Sequence, residues 1–344
     1  MLKRPRFWLG TISTAVFIFF LLRTIDFREF LDAIKQANYW YLIPAVAVYF
    51  VAVMFRSARW HYLLMPLGNV PIRRLYPSVV IGFMVNNLLP VRLGELFRAY
   101  LVGDSENLSK SAALATIAME RILDAVVLVA TAFLISLFVE IPEWLNTTIL
   151  IMTISLAVSL AALTLMLISE KTAAALLRLF FRPVPIKLRE KIYVLIAEFL
   201  IGFRSIKNPG YIVRAFIFSI LTWATESSIF YIIAISFGFK LGADDMSIGI
   251  LLAVAAANLV TAVPSSAGGV GPFEFAARET LVTFGITRGV ATAFAIVVHA
   301  VLIIPVVVAG LYFLWTRNIS LRSISKHAGL PDPVVASAAE SPKR

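Results

Sequence analysis

Long apolar runs alternate with short polar segments along most of this 344-residue chain. The longest runs cover residues 7–22, 40–55, 126–139, 148–168, 216–239, 249–263 and 290–315. A helix needs about 20 mostly apolar residues to cross about 30 Å of hydrocarbon, and several of these runs reach that length alone or with their flanks. The pattern therefore predicts an all-α integral membrane protein.

Two apolar segments, 75–103 and 246–285, break in the middle and then resume. The first break contains Pro90, and the second combines Pro264 with a glycine-rich stretch. Proline and glycine both end helices, and non-helical backbone survives at membrane depth only inside protein or beside a water-filled cavity. We therefore expect two re-entrant or broken-helix hairpins and about six full spans, the first at about 7–25.

The two halves of the chain repeat one order of segments: a span, a broken hairpin and a long span. The first set covers about 40–139 and the second about 211–315, and an Asn-Leu pair, beginning at Asn87 and at Asn258, precedes each break. Loop charges place the halves in opposite orientations, so we predict an inverted-topology repeat of the kind found in many transporters. A single polytopic membrane domain, 1–318, would contain both repeats.

Lysine and arginine positions set the predicted topology. The amino terminus, the segment after the run 40–55, which carries Arg56 and Arg59, and the segment 169–210 are all basic. The segment 140–147 carries no lysine or arginine. The positive-inside rule then places these basic segments, including a loop after residue 55, and both termini in the cytoplasm.

Two further segments are expected outside the membrane core. Basic residues interleave with leucine and aromatic residues over about 171–207, which is typical of amphipathic helices on a membrane surface. Residues 319–344 contain serine, alanine and proline and are expected to form a disordered cytoplasmic tail. The net charge of +11 fits such basic cytoplasmic surfaces better than a nucleic-acid site, because the chain shows no soluble basic domain.

Composition also narrows the chemistry. The absence of cysteine excludes thiolate catalysis and thiolate-bound metal, and no histidine or carboxylate cluster has metal-ligand spacing. The sequence contains no nucleotide-binding motif. We expect no catalytic residue, no metal and no cofactor, and transport that this chain does not itself drive with ATP.

Charged residues inside the apolar segments are the candidate site, since a charge at the bilayer centre costs at least about 2.5–3.5 kcal/mol. Arg92, Glu95 and Arg98 are spaced by three at the first break, so they share a helix face. The arginines could bind phosphate or carboxylate. Alternatively, these residues form an Arg–Glu ion pair that only stabilises the hairpin.

A second group, Glu120, Arg121 and Asp124, lies in the following span. Two carboxylates four residues apart repel unless an arginine neutralises them, and Arg92 or Arg98 is the expected partner. The alternative is an interfacial charge cluster at the end of the span.

The second half adds four charged or titratable residues. Glu274 and Arg278 are four apart, in the favourable order for an ion pair. Glu226 lies in mid-span and must be protonated, paired or hydrated. His299 could relay protons or could be a buried, neutral, hydrogen-bonded side chain.

The glycine loop GGVG at 268–271 either cradles a phosphate through its backbone amides or is only the tight turn of the second hairpin. With neighbouring polar residues it completes the predicted substrate-binding set. That set is Asn87, Arg92, Glu95, Arg98, Glu120, Arg121, Asp124, Glu226, Asn258, Ser265, Ser266, Gly268, Gly269, Gly271, Glu274, Arg278 and His299.

Three ordered motifs carry a family resemblance: NLLPVRLGELFR at 87–98, ERILD at 120–124 and PSSAGGVGPFE at 264–274. Over about residues 5–318 the chain resembles the lysylphosphatidylglycerol synthase transmembrane-region family, also called flippase-like domain proteins. The resemblance implies a bacterial or archaeal inner-membrane protein, and Ala267 before the glycines is a small departure from the family pattern. Multi-domain members carry a cytosolic aminoacyl-lipid synthase and are credited with moving its lipid. We expect a stand-alone member here, so lysyl transfer is not carried over.

The leading hypothesis is a lipid translocase that moves an anionic phospholipid or a polyprenyl-phosphate-linked lipid across the inner membrane. The two hairpins would meet near the midplane, where Arg92, Arg98 and Arg121 would bind the headgroup while glutamates balance charge or carry protons. One alternative is an intramembrane enzyme acting on a lipid phosphate or a lipid-linked sugar. Another is a membrane partner of a separate synthase or glycosyltransferase.

Overall fold

The described part of the chain is helical. A computed structural model describes residues 19, 23, 26–89, 93–141, 143–168, 203, 208–261 and 267–317. Its helices are α1 Phe27–Gln36, α2 Leu42–Leu64, α3 Ile72–Leu88, α4 Leu93–Ser105, α5 Lys110–Ser136, α6 Glu143–Ile168, α7 Pro209–Ser236, α8 Ala243–Val260, α9 Pro272–Thr283 and α10 Arg288–Thr316. No strand occurs in these residues, and the predicted all-α membrane protein is confirmed.

Several of the described helices are long and apolar enough to cross a membrane. These are Tyr39–Leu64, Glu143–Ala161, Pro209–Ser236, Ala243–Val260 and Arg288–Thr316. Trp40 and Trp315, at the ends of two of them, are 78% and 77% exposed, which suits the interface between membrane and water. The protein is therefore a multi-pass integral membrane protein. The predicted span 7–25 and the segments 171–207 and 319–344 lie almost wholly outside the described residues.

Helix α5, the predicted long span of the first half, is not among these candidate membrane spans. Every stretch of α5 long enough to cross a membrane includes Glu120, Arg121 and Asp124. The charges that mark the candidate site thus also weaken the membrane-span signal of this helix.

Helix α1 lies in the segment between the first predicted span and α2. Asp26 caps the helix, because its carboxylate accepts hydrogen bonds from the amides of Arg28 and Glu29 at 2.9 and 3.2 Å. The Glu29 carboxylate in turn accepts a hydrogen bond from the amide of Gly289 at 2.9 Å. This bond joins α1 to the start of α10. Such amide–carboxylate contacts satisfy donors that a helix start leaves open.

The placement of Arg56 and Arg59 in a cytoplasmic loop was wrong. Helix α2 continues to Leu64, and the two arginines are only 8% and 0% exposed on it. The apolar run stops at residue 55 because the arginines interrupt it, but the helix continues because both side chains find partners inside the protein.

Both predicted breaks are present, each between two helices that pack against one another. The first break lies between Leu88, the last residue of α3, and Leu93, the first residue of α4. Across it, the side-chain oxygen of Asn86 accepts a hydrogen bond from the Gly94 amide at 2.8 Å. The second break separates α8 from α9. We predict that each of these helix pairs enters and leaves the membrane on the same side, and this stays a prediction.

Two glycines allow α3 and α4 to approach closely. A Cβ on Gly94 would overlap the carbonyl oxygen of Gly82 and lie 2.7 Å from the side-chain oxygen of Asn86. We expect Gly94→Ala to force the helices apart, at about 1–3 kcal/mol for such overpacking, and to lower the unfolding midpoint in detergent. Gly242→Ala is the control, because its Cβ would meet no atom closer than 3.6 Å. Equal midpoints for the two variants would contradict this packing.

The helices of the two halves make corresponding contacts. If α2 to α5 are matched in order with α7 to α10, every main contact in one half has its counterpart in the other. The helices α2 and α7 pack together at the centre, and α3 packs on α10 as α8 packs on α5. An internal repeat would produce this correspondence of helix contacts. It supports the inverted-topology repeat, which stays a prediction.

Candidate substrate-binding site

A cavity of about 430 Å³ lies between the two halves, within the range of about 300–1,000 Å³ that small-ligand sites occupy. Each helix from α2 to α5 and from α7 to α10 contributes to its wall. The predicted site residues that line it are Asn87, Glu95, Arg121, Asp124, Glu226, Asn258, Gly268, Gly269 and His299. Apolar side chains such as Phe83, Leu128 and Ile303 complete the wall.

The two chain breaks meet at this cavity. Gly268 has a φ of 71°, a left-handed conformation that favours glycine. A Cβ on Gly268 would lie 3.6 Å from the carbonyl oxygen of Asn87 and 3.3 Å from Cδ1 of Ile303. The glycine segment of the second half therefore packs against the end of α3.

Asp124 is the centre of the ion-pair network beside the cavity. Its carboxylate lies 2.6 Å from Arg59, 3.2 Å from Arg121 and 4.0 Å from Arg56. The indole of Trp223 also donates to it at 3.0 Å. Three arginines and an indole thus neutralise a carboxylate that is only 5% exposed.

Glu120 lies deeper, behind the cavity wall. Arg98 pairs with it at 2.8 Å, as predicted, and Arg59 lies 3.6 Å away. The guanidinium of Arg98 also lies over the ring of Trp60, 4.2 Å from its centroid, in a cation–π contact. Trp60 donates to Thr116 at 2.9 Å. This part of the network fixes the positions of α2, α4 and α5.

Glu226 is paired, which decides between the states predicted for it. Its carboxylate accepts a hydrogen bond from Arg56 on α2. Arg56 also lies over the rings of Phe83 and Trp223, 5.4 and 5.1 Å from their centroids. The Arg56–Glu226 pair joins the two central helices, α2 and α7, at the cavity wall.

His299 joins α10 to the second break. Its Nδ1 lies 2.6 Å from Glu274 Oε1, and its Nε2 lies 3.0 Å from the carbonyl oxygen of Gly268. The other oxygen of Glu274 accepts from the Gly271 amide at 2.7 Å. Phe273 stacks on the imidazole at 4.1 Å.

The sequence-based pairing of Glu274 with Arg278 is corrected by this geometry. Glu274 faces His299, whereas Arg278 forms an ion pair with Glu279 at 2.6 Å. Four-residue spacing permits a pair on a helix surface, but Glu274 lies in the first turn of α9, where the break and α10 offer it other partners.

The remaining predicted residues do not line the cavity. Arg98 and Glu120 lie behind its wall, and Glu274 and Gly271 support it through His299 and the glycine segment. Arg92, Ser265 and Ser266 lie outside the described residues. In the described part of the chain, no group of three or more His, Cys, Asp or Glu is arranged to hold a metal ion.

The sequence reading missed four residues of the site: Arg56, Arg59, Asn86 and Trp223. One signal could have identified the arginines. They are three residues apart, so they share a helix face, and apolar Trp60, Leu63 and Leu64 follow them. That pattern indicates a continuing helix with one charged face.

Comparison with known proteins agrees with this architecture. The profile of the lysylphosphatidylglycerol synthase TM region matches residues 7–310. UPF0104 membrane proteins are similar: that of Pyrococcus horikoshii is 24% identical over 92% of this chain and 99% of its own length. That of Methanothermobacter thermautotrophicus is 25% identical over 72% of this chain and 76% of its own length.

A third UPF0104 membrane protein, from Methanocaldococcus jannaschii, is 29% identical over 46% of this chain, and the match spans 48% of that protein, about half its length. No solved structure matches the chain. Because the family profile covers nearly the whole chain, together with all three charged or glycine-rich motifs of the site, this protein belongs to the lysylphosphatidylglycerol synthase TM region family.

Proposed function

We propose that this protein moves a phosphate-bearing anionic lipid across the cell inner membrane. The lipid would be an anionic phospholipid or a polyprenyl-phosphate-linked lipid, and both termini would lie in the cytoplasm. The observation that carries this proposal is the cavity between the halves, where two chain breaks meet and charged side chains of both halves converge. Transporter sites built at broken helices have this arrangement.

Arg121 is the residue best placed to bind the headgroup. It lines the cavity, and its side chain is 34% exposed, whereas those of Arg59 and Arg98 are 0% and 3% exposed. Its guanidinium lies 3.8 Å from Glu95 and 3.2 Å from Asp124. A guanidinium carries five N–H donors in a fork that matches phosphate oxygens. The exposed part of the Arg121 side chain is therefore the arginine surface that a headgroup in the cavity would contact.

The charges of the described network balance. Four arginines face four carboxylates: Arg56, Arg59, Arg98 and Arg121 against Glu95, Glu120, Asp124 and Glu226. An anionic headgroup that enters such a site adds an uncompensated charge, which is unfavourable away from water. A headgroup must therefore compete with Glu95 and Asp124 for the Arg121 guanidinium.

Arg121→Gln is expected to slow lipid translocation. Loss of a charged hydrogen bond to the headgroup is worth about 1.5–3 kcal/mol, which corresponds to at least about tenfold in rate or affinity. Arg74→Gln is the control, because Arg74 is exposed and pairs only with Glu106 among the described residues. The measurement is translocation of fluorescent phospholipids in proteoliposomes. Equal rates for the two variants would contradict the role of Arg121.

The same assay tests the function itself. Wild-type proteoliposomes should move fluorescent phosphatidylglycerol or a polyprenyl-phosphate lipid faster than protein-free vesicles do. A wild-type rate equal to that of empty vesicles would reject transport by this chain alone. Release of phosphate or sugar from a lipid substrate in detergent would indicate an intramembrane enzyme. Co-purification of a synthase or glycosyltransferase, without transport, would indicate an accessory partner.

A further inference from the structure

We infer that His299 and Glu274 share one bound proton that fastens the glycine segment 267–271 to α10, and that release of this proton frees the segment during headgroup passage. The role in headgroup passage rests on the proposed function. The bound proton and the fastening rest on the geometry around His299 alone.

Both nitrogens of the His299 imidazole face oxygen acceptors. Nδ1 faces the Glu274 carboxyl group at 2.6 Å, and Nε2 faces the Gly268 carbonyl oxygen at 3.0 Å. A carbonyl oxygen and an ionised carboxylate can only accept, and a neutral imidazole has a single N–H. Neutral His299 beside ionised Glu274 could therefore make only one of the two hydrogen bonds.

One additional proton allows both hydrogen bonds. It lies either on the imidazole, which then donates from both nitrogens, or on Glu274, which then donates to Nδ1 while Nε2–H donates to Gly268. The side chains of His299 and Glu274 are only 7% and 9% exposed, so water gives little compensation for an unmade bond. The proton thus belongs to the pair.

The pair holds the glycine segment at two points. His299 binds the carbonyl oxygen of Gly268, and Glu274 accepts from the Gly271 amide at 2.7 Å. Gly268 and Gly269 line the cavity. Loss of the shared proton removes one hydrogen bond around His299, so the wall formed by this segment loosens.

The other charged and titratable groups at the cavity come from four helices. They are Tyr49 and Arg56 on α2, Glu95 on α4, Arg121 and Asp124 on α5, and Glu226 on α7. The charged ones among them form ion pairs with one another. The hydrogen-bonded pair of His299 and Glu274 is therefore separate from these ion pairs and lies next to the segment that it fastens.

Hydrogen exchange of the peptide that covers 267–275 tests the fastening. The wild-type protein in nanodiscs should show a protected segment at low pH. After correction for the intrinsic pH dependence of exchange, the protection factor should fall about tenfold as pH rises. A change of this size corresponds to the loss of one buried hydrogen bond. His299→Gln should show low protection at every pH. His61→Gln is the matched control, because His61 binds the Val70 carbonyl oxygen elsewhere. A pH-independent wild type, or a wild-type profile in His299→Gln, would overturn the inference.

Nitrogen-15 NMR of histidine in the wild-type protein gives a second readout that needs no stable variant. The chain has three histidines, so the His299 signals can be assigned. Nε2 of His299 should be protonated and Nδ1 should be in a short hydrogen bond at neutral pH. An unprotonated Nε2 would overturn the shared proton.

The role in transport is separable from both readouts. Translocation by the wild type and by His61→Gln should change with pH in step with segment opening, and His299→Gln should lose that dependence. An unchanged pH profile in His299→Gln would overturn the role in headgroup passage. A wild type that moves no lipid would reject the proposed function, while exchange and NMR would still decide the shared proton.

Discussion

Asp124→Asn is expected to destabilise the protein by about 3–5 kcal/mol, the usual effect of removing one partner of a buried ion pair. The carboxylate of Asp124 lies within 4.0 Å of three arginines and accepts from the Trp223 indole. The asparagine keeps the size of the side chain but removes its charge. Buried Arg59 would then lack its closest counter-charge, and α2, α5 and α7 would lose a shared contact.

Asp104→Asn is the matched control for this variant. Asp104 pairs with Lys110 at 3.6 Å, and its side chain is 64% exposed, so its pair contributes less than about 1 kcal/mol. The measurement is the free energy of unfolding, or the unfolding midpoint, in one detergent. The double variant Asp124→Asn with Arg121→Gln should recover part of the loss, because it removes one surplus positive charge. Similar stability of Asp124→Asn and Asp104→Asn would contradict the network.

Ala125→Trp is expected to reduce lipid translocation to the rate of protein-free vesicles. Ala125 lines the cavity on α5, next to Asp124. An indole at this position would enter the open volume of about 430 Å³ and occupy the space that a headgroup needs. Because the side chain has free space beside it, the overpacking penalty of a filled core should be small, and the variant should fold.

Ala130→Trp provides the control on the same helix. Ala130 is exposed on the outer surface of α5, so tryptophan there should contact lipid and leave the cavity open. Its translocation rate should equal that of the wild type. Unimpaired translocation by a folded Ala125→Trp variant would show that lipids take another route.

Local rules predicted the parts of the fold that depend on local chemistry. The breaks follow from Pro90, Pro264 and the glycines, because these residues disfavour helix wherever they occur. The pairing of Arg98 with Glu120 followed from the repulsion expected between Glu120 and Asp124. The convergence of Asn87 and Gly268 followed from the expectation that the two breaks meet.

Tertiary contacts decided what the local rules missed. Arg56 and Arg59 look like a cytoplasmic charge cluster in sequence, but their partners lie 65 to 170 residues away on α5 and α7. Glu274 has a suitable partner four residues later, and yet His299, 25 residues away, is the group that it faces. Sequence spacing shows which neighbours are possible and cannot show which helices fold against them.

Native mass spectrometry of the detergent-purified protein tests most directly whether the cavity holds a lipid headgroup. We expect the wild type and Ala130→Trp to retain a phosphate-bearing lipid of defined mass, and Ala125→Trp to lose it. The retained mass would also identify the headgroup. Equal occupancy of that lipid in Ala125→Trp and Ala130→Trp, or no retained lipid in the wild type, would contradict binding in the cavity between the two halves.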